Sequence, residues 1–190
     1  MYNWQRDSWP HFEFDTHAIE SKIFAFIQKS GELSGKLAAL PIDQRTEMMI
    51  QIMVSEALKT SEIEGEYVSQ LDIMSSVRRN LGLESQFISK DKNAIGLSNM
   101  LMDVRTTYAD PLTEIQLKHW HQLLMGHVKQ IRAGEWRTHM EPMQIISGSL
   151  ARPNVHYEAP PSNRVPFEME QFITWFNSCT ISAAPVKAAV

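Results

Sequence analysis

The chain has 190 residues, 43% of them hydrophobic and 21% charged, with 18 basic against 22 acidic side chains and a net charge of −4. A chain of this length buries roughly 70% of its extended surface, enough for one or two cores. Its mild acidity excludes a nucleic-acid binder that works through a basic excess. The longest apolar stretch, Met48 to Val54, is about a third of a membrane span, so no membrane partner is expected. The opening residues carry no signal-peptide pattern, and the lone Cys179 leaves neither an internal disulfide framework nor a Cys-based zinc site. A reducing cytoplasm is the expected compartment.

Six of the nine prolines fall after residue 140, and none lies between Pro41 and Pro111. This predicts helices over the first two-thirds and turns with extended segments over the last third. Asp15 is placed to cap a helix in which Ile19, Ile23, Phe26 and Ile27 recur at helical spacing. Pro41 starts a second helix running toward Thr60, with Met49, Ile52 and Met53 on one stripe. Ser69 and Asp72 have capping-box spacing ahead of Ile73, Met74 and Val77, with Gly82 as the stop. Ser89 opens a helix along Leu97, Leu101, Val104 and Tyr108. Thr113 and Gln116 form a second capping box before Leu117, Trp120, Leu124 and Val128. Beyond Gly134 the period changes. Residues 143–147 and 154–158 are short β-compatible runs, predicted to form a hairpin around a tip at 148–153. Pro166 then starts a helix with Met169, Phe172, Ile173 and Phe176 on one face. The expected fold is mainly α, a helical bundle with one protruding β-hairpin.

Seven histidines raise the question of a metal. His119 and His121 lie about 200° apart on a helix, and His127 is about 9 Å of rise further on. A helical zinc pair needs i, i+3 or i+4 spacing, so these read as core or rim histidines and no metal site is expected. The eleven methionines read as core filler, and Cys179 as an ordinary thiol. Residues Thr60-Ser61-Glu62-Ile63-Glu64-Gly65-Glu66 are different. With Gly65 as a left-handed terminal residue, Glu62 and Glu64 occupy the last helical turn, facing the negative end of the macrodipole at about 0.3–1 kcal/mol each. Such a conflict marks either a solvated acidic turn balanced by Lys59 or Arg78, or a function that brings an external cation.

Thr60-Ser61-Glu62-Ile63-Glu64-Gly65 resembles the Ser/Thr-x-x-x-Glu-Gly/Asn inhibitory motif of Fic proteins, a family of AMP transferases. The resemblance continues in Trp4 and Trp9-Pro10-His11-Phe12, in Ser75-Ser76-Val77-Arg78-Arg79-Asn80-Leu81-Gly82-Leu83, and in Trp120-His121. It extends through Ala133-Gly134-Glu135-Trp136-Arg137, Ile146-Ser147-Gly148, Val155 to Pro161, and Glu168-Met169 with Trp175-Phe176-Asn177. It implies an N-terminal helical domain over residues 1–110, with the inhibitory helix at about 45–65, and the first part of a Fic core over 111–190, with a flap at about 143–158. The family's catalytic motif, His-Pro-Phe-x-Asp/Glu-Gly-Asn-Gly-Arg-x-x-Arg, is absent: the last histidine is His156 and the last glycine Gly148. The expectation is a front portion that stops short of the motif, on a helix begun at 185–190.

The resemblance implies transfer of AMP from ATP to a protein Ser, Thr or Tyr hydroxyl, with ATP and Mg²⁺ held by motif residues that this chain lacks. No catalytic residue and no tight cofactor binding are therefore expected here. Glu64, with Thr60 and Gly65 of its motif, would restrain the γ-phosphate-binding arginine. Ile145, Ile146, Ser147 and Gly148 would form the flap edge that pairs with an extended target. Partners are then a hydroxyl-bearing protein target and, in some assemblies, a second copy of the chain. Two other readings stay open: an antitoxin-like inhibitor of a separate Fic core, and a helical interaction module over residues 1–110.

Overall fold

The computed structural model describes residues 1–11, 14–149, 152–181 and 183–189. Phe12 of the opening motif, Leu150 and Ala151 of the hairpin tip, and the terminal Val190 lie outside the described residues. Among the described residues the helices are α1 (Glu20–Ala39), α2 (Ile42–Ile63), α3 (Gln70–Asn80), α4 (Lys92–Thr107), α5 (Glu114–Met125), α6 (Val165–Ser178) and α7 (Ala184–Ala189). Strands β1 (Gln144–Ser149) and β2 (Arg152–Glu158) form one antiparallel pair. The chain is thus mainly α with a single hairpin. No helix among the described residues is long and apolar enough to cross a membrane.

Contacts divide the chain into two compact units, residues 27–134 and residues 1–26 with 135–190. Position 110, the expected domain division, lies inside the first of these. In that unit Ile50, Val54 and Ala57 of α2, Ile73 and Val77 of α3, and Ala94 and Leu97 of α4 form the core. Each fully buried Ile or Val contributes roughly 1.5–3 kcal/mol by leaving water. The stripe that α2 buries is Ile50–Val54–Ala57–Ser61, not the expected Met49–Ile52–Met53. Met53 packs at the margin of the core, and Ile52 is 42% exposed. Residues 48–54 are apolar nearly all round, so spacing alone defined no face. The face with branched and small side chains is the one that α3 and α4 can approach closely.

Tertiary hydrogen bonds also rearrange the predicted caps. Asp15 Oδ1 accepts from the His17 amide at 2.9 Å and caps a short 3₁₀ turn, His17–Ile19, ahead of α1. Ser69 stands at the N-cap of α3 without a side-chain cap bond. Its expected partner Asp72 instead accepts from Ser89 Oγ at 2.5 Å. Ser89 is therefore taken, and Asp91 caps α4 by accepting from the Asn93 and Ala94 amides. At α5 half of the predicted box forms. Thr113 Oγ1 accepts from the Gln116 amide at 3.1 Å, while Gln116 Nε2 donates to Thr107 Oγ1 at 2.7 Å, tying α5 to α4. Gly126 caps α5, so the helix stops before Val128.

Gly96 brings α4 and α5 together. A Cβ on it would lie 2.5 Å from the Leu123 carbonyl oxygen, so only a glycine permits this spacing. Beside it, Trp120 Nε1 donates to Asp103 Oδ2 at 2.7 Å.

The other unit holds the hairpin, α6 and α7. Val186 of α7 is buried, in a groove also lined by Ile19, Ile23 and Phe26. Pro166 sits in the first turn of α6, as predicted. The strand register pairs Gln144 with Glu158 and Ile145 with Tyr157, then Ile146 with Val155 and Ser149 with Arg152. His156 is left without an opposite number, which makes it the extra residue of a β-bulge.

Candidate functional site

The end of α2 is built by its last residues. Glu64 is the C-cap and Gly65 adopts φ 77°, the left-handed conformation that its lack of a Cβ permits. The Gly65 amide donates to Glu62 O at 3.1 Å and the Glu66 amide to Ser61 O at 2.8 Å. These two bonds make a Schellman motif, which satisfies carbonyls the helix would otherwise leave open. Gly82 ends α3 in the same way, with Leu83 donating to Arg78 O at 2.9 Å.

This turn sets out the acidic side chains. Ser61 is buried and ties the turn to the core, while Thr60, Glu62, Glu64 and Glu66 are exposed. Lys59 Nζ lies 2.6 Å from Glu62 Oε2, so one carboxylate of the turn is balanced locally. Arg78, the other candidate cation, is spent elsewhere: its Nη1 pairs with Glu47 at 2.8 Å and its Nε donates to Glu84 O at 3.1 Å. The Glu64 carboxylate has no cationic partner within 4 Å among the described residues. Glu62 and Glu64 thus differ chemically although they are two residues apart.

The hairpin carries the second set. Ile145, Ile146, Ser147 and Gly148 all lie on β1, and every residue of β1 is exposed. Ile145 is 62% and Ile146 44% exposed, and among the described residues β1 pairs only with β2, leaving its outer edge open. Gly148 adopts φ 86° beside the tip. Ser147 Oγ and His156 Nε2 are 2.6 Å apart, so the bulge residue reaches across to the β1 edge.

At its base the hairpin is held by several contacts. The Ala159 amide donates to Met143 O at 2.8 Å, and Gln144 Nε2 to Glu158 Oε2 at 2.7 Å. Arg137 Nη1 donates to Ser162 Oγ at 2.9 Å, Arg137 Nη2 bonds Pro160 O, and Ser162 Oγ donates to His139 O at 2.6 Å. From the chain's start, Trp4 Nε1 donates to Glu158 O at 2.6 Å, and the Tyr2 and Tyr157 rings meet edge to face at 5.5 Å. The Arg164 guanidinium lies 5.2 Å from the Trp4 ring centroid and pairs with Glu168, which accepts from Trp9 Nε1 at 2.9 Å. Sequence spacing did not point to Arg137 or Arg164 as hairpin-base residues.

The histidines have separate partners. His121 Nδ1 accepts from the Gly134 amide at 3.1 Å, and His119 Nε2 lies 3.8 Å from Asp103. Among the described residues no group of three or more His, Cys, Asp or Glu side chains could hold a metal ion.

Residues 2–83 match the model of a family described as a domain of unknown function, DUF4172. No curated protein matches the chain. Among solved structures, the chain is similar to the crystal structure of a Fic family protein from Desulfovibrio desulfuricans G20, with a TM-score of 0.53 and 19% identity over 90% of this chain. The fold is Fic-like. The chain spans 48% of the length of that protein. The DUF4172 match takes in all of α2 and the turn at Gly65, and the hairpin lies outside it.

Proposed function

We propose that this chain is the regulatory and target-positioning portion of a Fic AMP transferase. Glu64 restrains the arginine that would grip the ATP γ-phosphate, and the β1 edge receives an extended target segment bearing a Ser, Thr or Tyr hydroxyl. The observation that carries this reading is the exposed Glu64 carboxylate, fixed by the Gly65 turn and unpaired among the described residues, beside a Glu62 that is paired. An exposed acid at the negative end of a helix is costly unless a cation arrives, and an arginine from elsewhere supplies it. The open edge of β1 supports the second role, because strand addition sets register through backbone hydrogen bonds and demands little of the target's sequence. ATP and Mg²⁺ belong to motif residues that this sequence does not contain.

The test uses a chain that continues this sequence into a Fic catalytic motif. Glu64→Gly should increase self-labelling from radiolabelled ATP about tenfold or more, the equivalent of losing a hydrogen bond between charged groups. Glu62→Gln should leave labelling unchanged. Equal labelling of Glu64→Gly and the parent would sink the inhibitory role, and labelling by residues 1–190 alone would overturn the assignment of chemistry to another segment.

A second reading has its own observation. Helix α1 has no buried residue and leaves Phe24, Phe26, Ile27 and Leu33 at least half exposed. Apolar side chains left open along a helix favour an interaction module or a homodimer. Light scattering on the parent and a Phe24→Ser variant separates these readings: a concentration-dependent dimer lost in the variant supports self-association, and a monomer at all concentrations refutes it.

A further inference from the structure

The hairpin has little hold on its own unit beyond its base. Every β1 residue is exposed, and on β2 only Tyr157 and Glu158 are partly buried. Among the described residues, two contacts to this pair come from outside the hairpin, from the opposite end of the chain: Trp4 Nε1 donates to Glu158 O, and Tyr2 packs on Tyr157. The Trp4 ring is itself held by the Arg164 guanidinium, which ties it to the start of α6.

We propose that the segment Tyr2–Trp4 fixes the angle at which the hairpin leaves its unit, with Trp4 as a positioning residue for the β1 edge. This rests on the reading of that edge as the target-binding surface. The leverage is geometric. A six-residue strand is about 20 Å long, so a tilt of about 10° at Glu158 moves the far end by about 3.5 Å. Strand pairing tolerates far less, since N–H···O bonds keep donor and acceptor within about 2.7–3.2 Å. Arg137 sets the span between the hairpin's two legs through Pro160, Ser162 and His139, whereas Trp4 grips the last residue of β2 from outside the hairpin. Trp4 thus governs orientation, and Arg137 the internal geometry of the base. The bulge at His156, two residues from the gripped carbonyl, adds local twist that makes the exit angle depend on this end of the strand.

Trp4→Phe keeps an aromatic ring under Arg164 and removes the N–H donor. In the 190-residue chain, amide hydrogen exchange across residues 144–158 should rise about fivefold, the effect of one lost hydrogen bond, with far-UV circular dichroism unchanged. In the parent, the Trp4 indole N–H should be protected from exchange. Should Trp4→Phe yield little folded chain, Tyr2→Leu, which leaves the indole bond in place, reads the same segment. In the chain continued into a catalytic motif, Trp4→Phe should lower the self-labelling rate at saturating ATP several-fold and leave KM for ATP unchanged. Unaltered hairpin exchange overturns the anchor. Raised exchange with an unchanged labelling rate sinks the target-binding reading of the hairpin, and the positioning role with it.

Discussion

Gly96→Ala places a methyl group where the backbone of α5 already lies. The new Cβ would stand 2.5 Å from the Leu123 carbonyl oxygen, whereas ordinary van der Waals contact begins at 3.4 Å. The obstructing atom is backbone, so no rotamer change relieves it, and α4 and α5 must move apart by about 0.9 Å. A gap of that size forfeits a quarter to a half of the dispersion well for contacts across the interface. Overpacking of this kind costs about 1–3 kcal/mol, and replacing a helical glycine by alanine returns about 1 kcal/mol. With the obstruction in the backbone, the overpacking cost lies in the upper part of that range, about 2–3 kcal/mol, and the net expectation is a loss of about 1–2 kcal/mol. Gly31→Ala in α1 is the control, because a Cβ there meets nothing within 4 Å and the helix-propensity gain of about 1 kcal/mol stands alone. Urea unfolding followed by tryptophan fluorescence suits the first variant, since Trp120 hydrogen-bonds Asp103 across this interface. Far-UV circular dichroism suits the second. A Gly96→Ala chain as stable as the parent would refute the claim that close backbone approach selects the glycine.

Two further positions probe other parts of the same unit. Gly65→Ala meets no steric obstacle but must hold φ near 77°, so the chain should lose about 1–2 kcal/mol in urea unfolding, and Gly65→Asn should lose less. Ser98 is fully buried, and its Oγ finds no hydrogen-bond partner among the described residues. Ser98→Ala should therefore raise the thermal midpoint, by the equivalent of about 1 kcal/mol.

Legibility in the sequence followed the range of the forces involved. The left-handed turns at Gly65 and Gly82 were readable because glycine relieves a local steric conflict. The hairpin was readable from a change of period, and Pro166 from its fixed φ. The caps were less so. Ser69 and Asp72 have the right spacing, yet Asp72 is claimed by Ser89, seventeen residues away, and a local rule carries no knowledge of that competitor. The inward face of α2 was hidden by a run with apolar groups on all sides, and was chosen by what α3 and α4 present. Gly96 answers to a backbone carbonyl, which no side-chain pattern announces. Trp4 entered through the family resemblance alone, since its acceptor lies 154 residues further on. At the candidate site, spacing placed Glu62 and Glu64 in one terminal turn. Only the folded structure separated the paired Glu62 from its neighbour.

The arrangement of the two units also sets an order of assembly during synthesis. Residues 27–134 are contiguous and contain their own core, so they can condense as soon as they leave the ribosome. Residues 1–26 belong with 135–190, and their bonds span 154 residues from Trp4 to Glu158 and 159 from Trp9 to Glu168. At translation rates of about 5–20 residues per second, the opening tryptophans wait roughly 10–30 s for their partners. During that interval Trp4 and Trp9 are unsheltered, and a chaperone that recognises exposed aromatic segments has its window there. The hairpin, made late, is secured by residues made well before it.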